Sequence, residues 1–301
     1  MAMPETVTVS APAKLNLALS VGRPDENGMH PVCSWMVTVN LFDELEVKRL
    51  EADYFSRYAV IWHAEAKRRS EINWPITSDL AVRAHLALED RVRRRLPLQM
   101  KLEKRIPVGG GLGGGSSNAA AMLIAVNELF ELGLSVEELA EIGEGLGADV
   151  PFLVCGGSAI VEGLGERLQH HDECPDLHAV LVFPDALCPT GEVYSAFDQI
   201  ESGGLQADAV RRLPDSPLQA ETLFNDLKDA AIRVTPTLKR ELQRVSELAE
   251  RPVCVSGSGS SIFIVCDEPL HAEALAAAIE SKLDLPAVAV KAVGAKGGQI
   301  S

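Results

Sequence analysis

The N-terminal third of the chain alternates between apolar and polar positions in short stretches, a pattern typical of half-buried β-strands. The alternation is clear at Leu15 and Leu17, whereas Leu80, Ala84 and Leu88 fall on one stripe at helical spacing. The pattern predicts strands at residues 6–9, 15–21, 32–41, 44–50 and 98–103, and helices at residues 79–95 and 117–132. A run of glycines at residues 109–115 precedes the second helix, and Ser135 with Glu138 forms a capping box that opens a third.

The pattern changes near residue 160. Strands are predicted at residues 180–183, 253–255, 262–266 and 288–293, and helices at residues 226–233, 236–249 and 269–282. Residues 201–217, rich in Gly, Pro and Asp, are predicted to form a surface excursion. The order β, α, α, β, β, α, β indicates a small α+β layer, so the expected domains are residues 1–160 and 161–301.

Composition and charge narrow the classes of partner. Of the 301 residues 47% are hydrophobic, and 43 acidic against 28 basic side chains give a net charge of −15. Such a chain repels nucleic acid and anionic membranes, so neither is expected as a partner. The basic runs at residues 67–69 and 91–95 are interpreted as solvated faces.

The cysteines and the apolar runs indicate which cellular compartment to expect for this protein. None of the six cysteines forms a C-x-x-C pair with another, which argues against a zinc site or a disulfide framework. No apolar run approaches the roughly 20 residues of a membrane helix, and the N-terminus has no signal-peptide pattern. A soluble, cytoplasmic protein is therefore expected, without a metal site built by the protein alone.

The glycine run is the strongest local indication of chemistry. Glycines allow the backbone to approach a ligand and turn successive N–H groups inward, and the start of the following helix favours an anion. A Walker A loop is excluded because no Gly-Lys-Ser/Thr follows. Gly109, Gly111 and Gly114 match the dinucleotide pattern G-x-G-x-x-G, but Pro107 separates the strand from the loop. A phosphate-binding loop is the favoured interpretation, with a dinucleotide oxidoreductase as a rival.

Three other segments have ordinary explanations when each is taken alone. Pro-Ala-Lys-Leu-Asn-Leu at residues 12–17 is a strand start carrying Lys14. Gly-Ala-Asp-Val-Pro-Phe at residues 147–152 is a helix start with Asp149 as N-cap. Ser-Gly-Ser-Gly at residues 256–259 is a tight β-turn.

Together, these segments and the run Gly-Leu-Gly-Gly-Gly-Ser-Ser-Asn-Ala-Ala at residues 111–120 resemble the GHMP kinases, from about Val9 to the C-terminus. They are most similar to the branch whose alcohol substrate carries a cytidine diphosphate group, as is Asn-Asp-Leu at residues 225–227. The resemblance implies an α+β, two-domain fold. The N-terminal domain, which binds nucleotide, would resemble domain 2 of ribosomal protein S5, and the C-terminal substrate domain would be ferredoxin-like.

The resemblance also implies phosphoryl transfer from ATP, with Mg²⁺, in the synthesis of isoprenoid precursors. Asp149 would take the proton from the attacking hydroxyl, and Lys14 would stabilise the developing oxyanion and keep Asp149 ionised. The residues expected to bind the nucleotide are Pro107, Gly109, Gly110, Gly111, Leu112, Gly113, Gly114, Gly115, Ser116 and Ser117.

The residues that the resemblance assigns to substrate binding are Asn16, Met29, His30, Asp149, Thr190, Tyr194, Gly257 and Ser258. Two positions depart from the family pattern. Met29 stands where a tyrosine is usual, and Asp79 stands where an asparagine helps to hold adenine. Residues 52–76 match no motif.

Two alternatives remain within the family. One is a kinase acting on another small alcohol, for which a cytosine clamp would have no use. The other is a non-catalytic nucleotide-binding regulator, against which the presence of Lys14 and Asp149 counts. A monomer and a homodimer are both compatible with the sequence.

Overall fold

The computed structural model describes residues 5–200 and 203–295. The strands are β1 (Thr6–Val21), β2 (Val32–Arg49), β3 (Arg57–Trp62), β4 (Leu98–Lys104), β5 (Ser158–Gly163), β6 (Arg167–His171), β7 (His178–Val182), β8 (Cys254–Val255), β9 (Ile262–Cys266) and β10 (Ala287–Lys291). The helices are α1 (Leu80–Val92), α2 (Gly114–Leu129), α3 (Val136–Glu144), α4 (Val150–Cys155), α5 (Thr190–Phe197), α6 (Ala207–Arg211), α7 (Lys228–Val234), α8 (Pro236–Ala249) and α9 (Pro269–Leu283).

The first sheet is organised around the long strand β2. Its strand order is β3-β4-β2-β5-β6, and β1 pairs with β2 off this path. The pairing of β3 with β4 is parallel, and the other pairings in this sheet are antiparallel. The early part of β2, Val32 to Val37, pairs with β5, and its late part, Glu44 to Arg49, pairs with β4.

The prediction of two separate strands in each of the regions 6–21 and 32–50 is wrong, because β1 and β2 are each continuous. Their register shifts between Pro12 and Ala13 and again between Asn16 and Ala18. Such bulges interrupt the alternation by which a strand is recognised and bend it locally. Lys14 lies between the two shifts, so the bent part of β1 carries this residue.

The strand β3 lies in the segment to which the sequence analysis assigned no element. Its side chains alternate between exposed and half-buried along the edge of the sheet. Tyr58 and Val60 pack against the core beneath it. The alternation Tyr58, Val60, Trp62 was present in the sequence and could have identified the strand.

The second sheet has the strand order β10-β7-β9-β8 and is antiparallel throughout. Helices α5 to α8 lie between β7 and β8 along the chain, and α9 lies between β9 and β10. A four-stranded antiparallel sheet with this order and its helices on one face is the ferredoxin-like arrangement, which confirms the predicted fold class.

Alternating side chains along each strand face different layers, and the molecule therefore has three hydrophobic cores. In β7, Val180 and Val182 pack with the outer helices, whereas Ala179 and Leu181 pack with the first sheet. On the opposite side, helices α1 to α4 cover the far face of the first sheet. The layers are therefore helix, sheet, sheet, helix, and this burial on both faces explains why β1 is buried from Ala11 to Val21.

Two predicted elements need correction. Helix α2 begins at Gly114 rather than at Ser117, because Gly114 and Gly115 already adopt its first turn. The described part of residues 201–217 is more than a surface excursion, since it contains α6 and a short 3-10 helix. Val210 of α6 is fully buried and contributes to the core between the sheets. Residues 201 and 202 lie outside the described residues.

The change from one sheet to the other falls between His171 and His178. The domain boundary predicted near residue 160 lies within β5 and stays a prediction. The capping box is confirmed, with Ser135 and Glu138 bonded reciprocally. In residues 5–200 and 203–295, no helix has the length and apolar character needed to cross a membrane.

Candidate active site

A cleft of about 930 Å³ is lined by residues from both halves of the chain. The first half contributes β1, the turn before β2, the glycine loop and Asp149, and the second half contributes α5 and the turn between β8 and β9. The four segments that carried the family resemblance therefore meet at one place. Of the residues predicted for the site, Ser117 alone does not line the cleft.

The glycine loop adopts a conformation that other residues rarely reach. Gly109, Gly111 and Gly113 have φ angles of +70°, +74° and +68°. Gly113 is the N-cap residue of α2, and no side chain caps that helix end. The first N–H groups of a helix have no acceptors within the helix, and together with its dipole they attract an anion. The loop is therefore shaped to bind phosphate.

The second glycine turn, residues 256–261, holds the glycine loop from behind. Ser256 Oγ donates to Gly111 O at 3.0 Å, and Ser261 N donates to Gly110 O at 3.1 Å. A Cβ on Gly111 would overlap Ser256 O. The two turns thus fit together through backbone atoms, and Gly111 is required by this close approach as well as by its φ angle.

The two serines after the loop have different surroundings. Ser117 is 1% exposed and its hydroxyl donates to Pro12 O at 2.7 Å, so it joins α2 to β1. Ser116 lies on the wall of the cleft. The hydroxyl available to a nucleotide is therefore that of Ser116.

Lys14 is buried at the junction of the two glycine turns. Its residue is 4% exposed, and its Nζ donates to Asn16 Oδ1 at 2.6 Å. The stem packs over Gly113, where a Cβ would lie 2.9 Å from Lys14 Cγ. Asn16 in turn donates from Nδ2 to Ser34 Oγ at 2.8 Å. Asn16 lines the cleft as predicted, but both ends of its amide are used to orient Lys14.

Asp149 stands at the N-cap of α4, yet its side chain makes no capping hydrogen bond. The carboxylate instead faces the cleft, with Oδ2 3.4 Å from Lys14 Nζ. The side chain of Asp149 is 26% exposed and that of Lys14 is 5% exposed. The pair therefore places a carboxylate that a ligand can reach beside a cation that is shielded from water.

The cleft is also lined by an aromatic cluster. The rings of His30 and Tyr194 are 5.1 Å apart and tilted, and Met29 is exposed beside them. Burial, with the Asp149 carboxylate as a second cause, raises the pKa of Tyr194 to about 12. The phenol therefore stays protonated at neutral pH. The cluster of His30, Tyr194 and Met29 combines apolar contact area with polar atoms.

Hydrogen bonds join the segments of the second half that line the cleft. Thr190 Oγ1 and Ser258 Oγ are 3.0 Å apart, so the start of α5 contacts the second glycine turn. Asn225 Nδ2 donates to Val255 O and to Gly257 O, each at 2.8 Å. Asn225 therefore fixes the shape of the turn that presents Gly257 and Ser258 to the cleft.

The cleft wall also contains polar and aromatic residues that were not predicted as part of the site, among them Lys104, Trp74 and Asp79. Lys104 is 3% exposed and pairs with the fully buried Asp43 beneath the glycine loop. Trp74 donates from Nε1 to Asp79 Oδ2 at 3.1 Å, and Asp79 also caps α1 through Ala81 N. The signal for Lys104 was its position on the apolar face of β4, after Leu98, Met100 and Leu102. Trp74 lies in the segment without motifs, and no local pattern marked it.

Among residues 5–200 and 203–295, no group of three or more His, Cys, Asp or Glu side chains is arranged to hold a metal ion. Mg²⁺ in phosphoryl-transfer sites is held mainly by phosphate oxygens and water, with one or two protein ligands. The residues present are compatible with a metal ion that arrives with a nucleotide.

Comparison with known proteins also indicates a GHMP kinase. Residues 79–157 match the model of the GHMP kinases N terminal domain. The 4-diphosphocytidyl-2-C-methyl-D-erythritol kinase of Exiguobacterium sibiricum is 35% identical over 275 residues, covering 90% of this chain and 92% of that protein. A crystal structure of 4-(cytidine 5'-diphospho)-2C-methyl-D-erythritol kinase superposes with a TM-score of 0.75 at 32% identity, covering 95% of this chain and 99% of the other. Homoserine kinase from Cytophaga hutchinsonii, at 18% identity, shares the fold with a TM-score of 0.71 and covers 100% of this chain and 99% of the other.

A glycine loop at a helix start, set between an α+β layer and a ferredoxin-like layer, defines a small-molecule kinase of the GHMP type, which uses ATP as phosphate donor. Within that class, the chain belongs to the family of the 4-diphosphocytidyl-2-C-methyl-D-erythritol kinases.

Proposed function

We propose that this chain transfers the γ-phosphoryl group of ATP to the 2-hydroxyl of 4-diphosphocytidyl-2-C-methyl-D-erythritol, a step toward isoprenoid precursors. The relatives that carry this activity in their names align over 90% of the chain. The observation that carries the proposal is the Lys14–Asp149 pair, 3.4 Å apart in a cleft that two glycine turns enclose.

Asp149 is the proposed general base. Its carboxylate faces the cleft and is free of a capping role, so it can accept the proton of the attacking hydroxyl. Lys14 is the proposed electrostatic partner. Because its ammonium is held by Asn16 and shielded from water, its charge acts strongly on the oxygen that becomes negative in the transition state.

The glycine loop is the proposed site of the ATP phosphates, with the N–H groups of the first turn of α2 as donors. Ser116, which faces the cleft, would hold the accompanying Mg²⁺ together with the phosphates. The metal ion would supply neutralisation of the charge that builds up on the phosphoryl oxygens.

The end of the cleft around His30, Met29 and Tyr194 is the proposed site of the cytosine ring. Tyr194 offers an aromatic face, and the thioether of Met29 can pack on the other. Thr190, Gly257 and Ser258 line the same cleft, and we assign them to the diphosphate and the methylerythritol unit.

We propose the cytoplasm as the compartment, since all six cysteines are free thiols. We propose no nucleic-acid partner, because a net charge of −15 repels a polyanion. A monomer and a homodimer are equally compatible with this function, since residues of a single chain line the cleft.

The test is a coupled assay of ADP release with ATP, Mg²⁺ and 4-diphosphocytidyl-2-C-methyl-D-erythritol. The native chain should turn over, Asp149→Asn should lose most activity while keeping its melting temperature, and Asp176→Asn, at an exposed carboxylate, should remain active. Absence of turnover by the native chain, with ATP binding intact, would refute the substrate and point to another alcohol. Full activity of Asp149→Asn would refute the general base.

A further inference from the structure

Ser34 lies on β2 and contacts a residue of the cleft wall without lining the cleft itself. The residue is fully buried. Its Oγ donates to Ala18 O at 2.7 Å and accepts from Asn16 Nδ2 at 2.8 Å. Asn16 Oδ1 in turn accepts from Lys14 Nζ at 2.6 Å. Three hydrogen bonds thus connect a backbone carbonyl of β1 to the ammonium group in the cleft.

A β-bulge in β1 brings these groups together. The register with β2 shifts between Asn16 and Ala18, so Leu17 is the extra residue. An extra residue interrupts the ladder of backbone hydrogen bonds and bends the strand. At this bulge the Ser34 hydroxyl bonds the Ala18 carbonyl, and the Asn16 side chain bonds the same hydroxyl. The irregularity that bends β1 beside Lys14 therefore also builds the chain of hydrogen bonds.

Only one arrangement of hydrogens is possible along this chain. An ammonium group can only donate and a carbonyl oxygen can only accept, so both ends are fixed. The oxygen of the Asn16 amide must face Lys14, and its NH2 group must face Ser34. The single hydroxyl hydrogen of Ser34 is then left for Ala18 O. Reversing any bond would bring two donors or two acceptors together and leave buried polar groups unsatisfied.

We infer that Ser34 is a positioning residue that acts on Lys14 through Asn16. By fixing the orientation of the Asn16 amide, it holds the Lys14 ammonium 3.4 Å from Asp149 Oδ2. Without the hydroxyl, the amide would be free to turn, and its NH2 group would then repel the ammonium. The inference rests on the proposed function, in which Lys14 stabilises the reacting oxygen. A displacement of this cation by about 1 Å would lower turnover by up to about 100-fold and change substrate binding much less.

The contrary explanation is that Ser34 only satisfies buried polar groups at the bulge. Its loss would then lower the stability of the first sheet and leave the turnover of the folded protein unchanged. Ser158 on β5 provides a matched comparison, because it is 2% exposed and its hydroxyl accepts from Trp35 Nε1 at 3.0 Å. Ser158 does not line the cleft and takes no part in the chain that ends at Lys14.

The experiment measures kcat, the KM of both substrates and the melting temperature in Ser34→Ala, Ser34→Cys and Ser158→Ala. Ser34→Ala should lose about 10- to 100-fold in kcat, with both KM values within about threefold of native. Ser34→Cys fills the same space with a weaker donor, so its kcat should fall between those of Ser34→Ala and the native chain. Ser158→Ala should lower the melting temperature and retain the native kcat. Native kcat in both Ser34 variants, or an equal fall in Ser158→Ala, would overturn the inference.

The NMR signal of the Lys14 ammonium separates this inference from the proposed function. In protein containing isotope-labelled lysine, Lys14→Met identifies the signal by its absence. The signal should shift or disappear in Ser34→Ala, because the ammonium loses its fixed acceptor, and stay in place in Ser158→Ala. If the native chain does not turn over the proposed substrate, the proposed function fails, whereas this change of the signal still supports the positioning role. An unchanged Lys14 signal in Ser34→Ala would overturn the inference even if the enzyme is active.

Discussion

Two lysine ammonium groups are buried beside the glycine loop of a protein that carries a net charge of −15. Lys14 is 4% exposed and pairs with Asp149, and Lys104 is 3% exposed and pairs with Asp43. Burial keeps these charges from being screened by salt and water. The attraction for a polyanionic nucleotide is therefore local, in opposition to the field of the whole chain.

We expect Lys14→Met to lower kcat/KM by about 10²- to 10⁴-fold, because it removes the cation proposed to stabilise the reacting oxygen while a side chain of similar length fills the space. The measurement is steady-state kinetics together with ATP binding by calorimetry, which should change far less than kcat. Lys101→Met, at an exposed position of the first sheet, is the matched control. Unimpaired turnover in Lys14→Met would assign Lys14 a purely structural role.

Lys104→Met should lower the free energy of unfolding by about 3–5 kcal/mol, because it leaves the buried Asp43 charge without its cation. Asp43 also accepts from the backbone N–H groups of Arg105 and Ile106, so it positions the chain that leads into the glycine loop. Urea unfolding measures the change. The double variant Asp43→Asn/Lys104→Met should recover part of the loss, since no unpaired charge remains, and a loss equal to the sum of the single variants would contradict this view.

At the scale of single residues, the sequence was most informative where function requires a short run of residue types. The glycines of the loop and the Asp149 segment were recognisable for that reason. Lys104 was within reach of prediction, as a lysine on an otherwise apolar strand face needs a buried partner.

At the scale of elements, the glycine loop and the second glycine turn form one unit. Gly111 O accepts from Ser256 Oγ and Gly110 O accepts from Ser261 N. The turn is itself held by Asn225. A change in the conformation of either turn should therefore alter the conformation of the other. A nucleotide bound to the glycine loop should likewise influence the second glycine turn.

Gly111→Ala and Gly133→Ala test this coupling. Both glycines have positive φ, +74° and +70°, so each substitution should destabilise by about 1–2 kcal/mol through backbone strain. A Cβ at Gly133 would meet open space, whereas one at Gly111 would overlap Ser256 O. We expect a further loss of about 1–3 kcal/mol and a raised KM for ATP in Gly111→Ala alone. If Gly111→Ala and Gly133→Ala lose the same free energy of unfolding and have the same KM for ATP, the two turns are not coupled.

The elements also show where periodicity misleads. Helices with a regular stripe, such as α1 and α9, were predicted within a few residues of their observed bounds. The bulged strand β1 was divided in two, because its register shifts between Pro12 and Ala13 and its burial on both faces from Ala11 onward leaves no alternation to recognise. The same register shifts bend β1 around Lys14. The irregularity that made β1 hard to recognise as one strand therefore also shapes the site.

At the scale of the whole molecule, the packing of the two sheets and their helix layers determines where the cleft lies. The predicted fold class followed from the order of elements and the family resemblance. The packing of the two sheets against each other did not follow, since strands buried on both faces lack a distinguishing pattern. The stability of the helix layer bears on the site, because α2 starts at the glycine loop.

His85 ties this helix layer to the first sheet and is fully buried. Its Nε2 lies 2.9 Å from Leu96 O, so Nε2 carries the proton, and Nδ1 accepts from the Tyr58 hydroxyl at 2.8 Å. The histidine therefore joins α1 to the edge strand β3 and to the residue before β4. Burial lowers the pKa of His85 below its ordinary value of 6.5, although Leu96 O and Glu89 act in the opposite direction.

Because the unfolded chain binds a proton at His85 more readily than the folded chain does, folding is fully stabilised above pH 6.5 and loses stability as the pH falls below it. Urea unfolding should show this as a slope of up to about 1.4 kcal/mol per pH unit, superimposed on the contributions of other groups. His85→Gln, whose amide can still donate to Leu96 O, should remove that slope, whereas His271→Gln on the outer helix α9 should retain it. If the free energy of unfolding of His85→Gln depends on pH as that of the native chain does, then the protonated imidazole is accommodated between α1 and β3. Acid would in that case destabilise the fold through other groups.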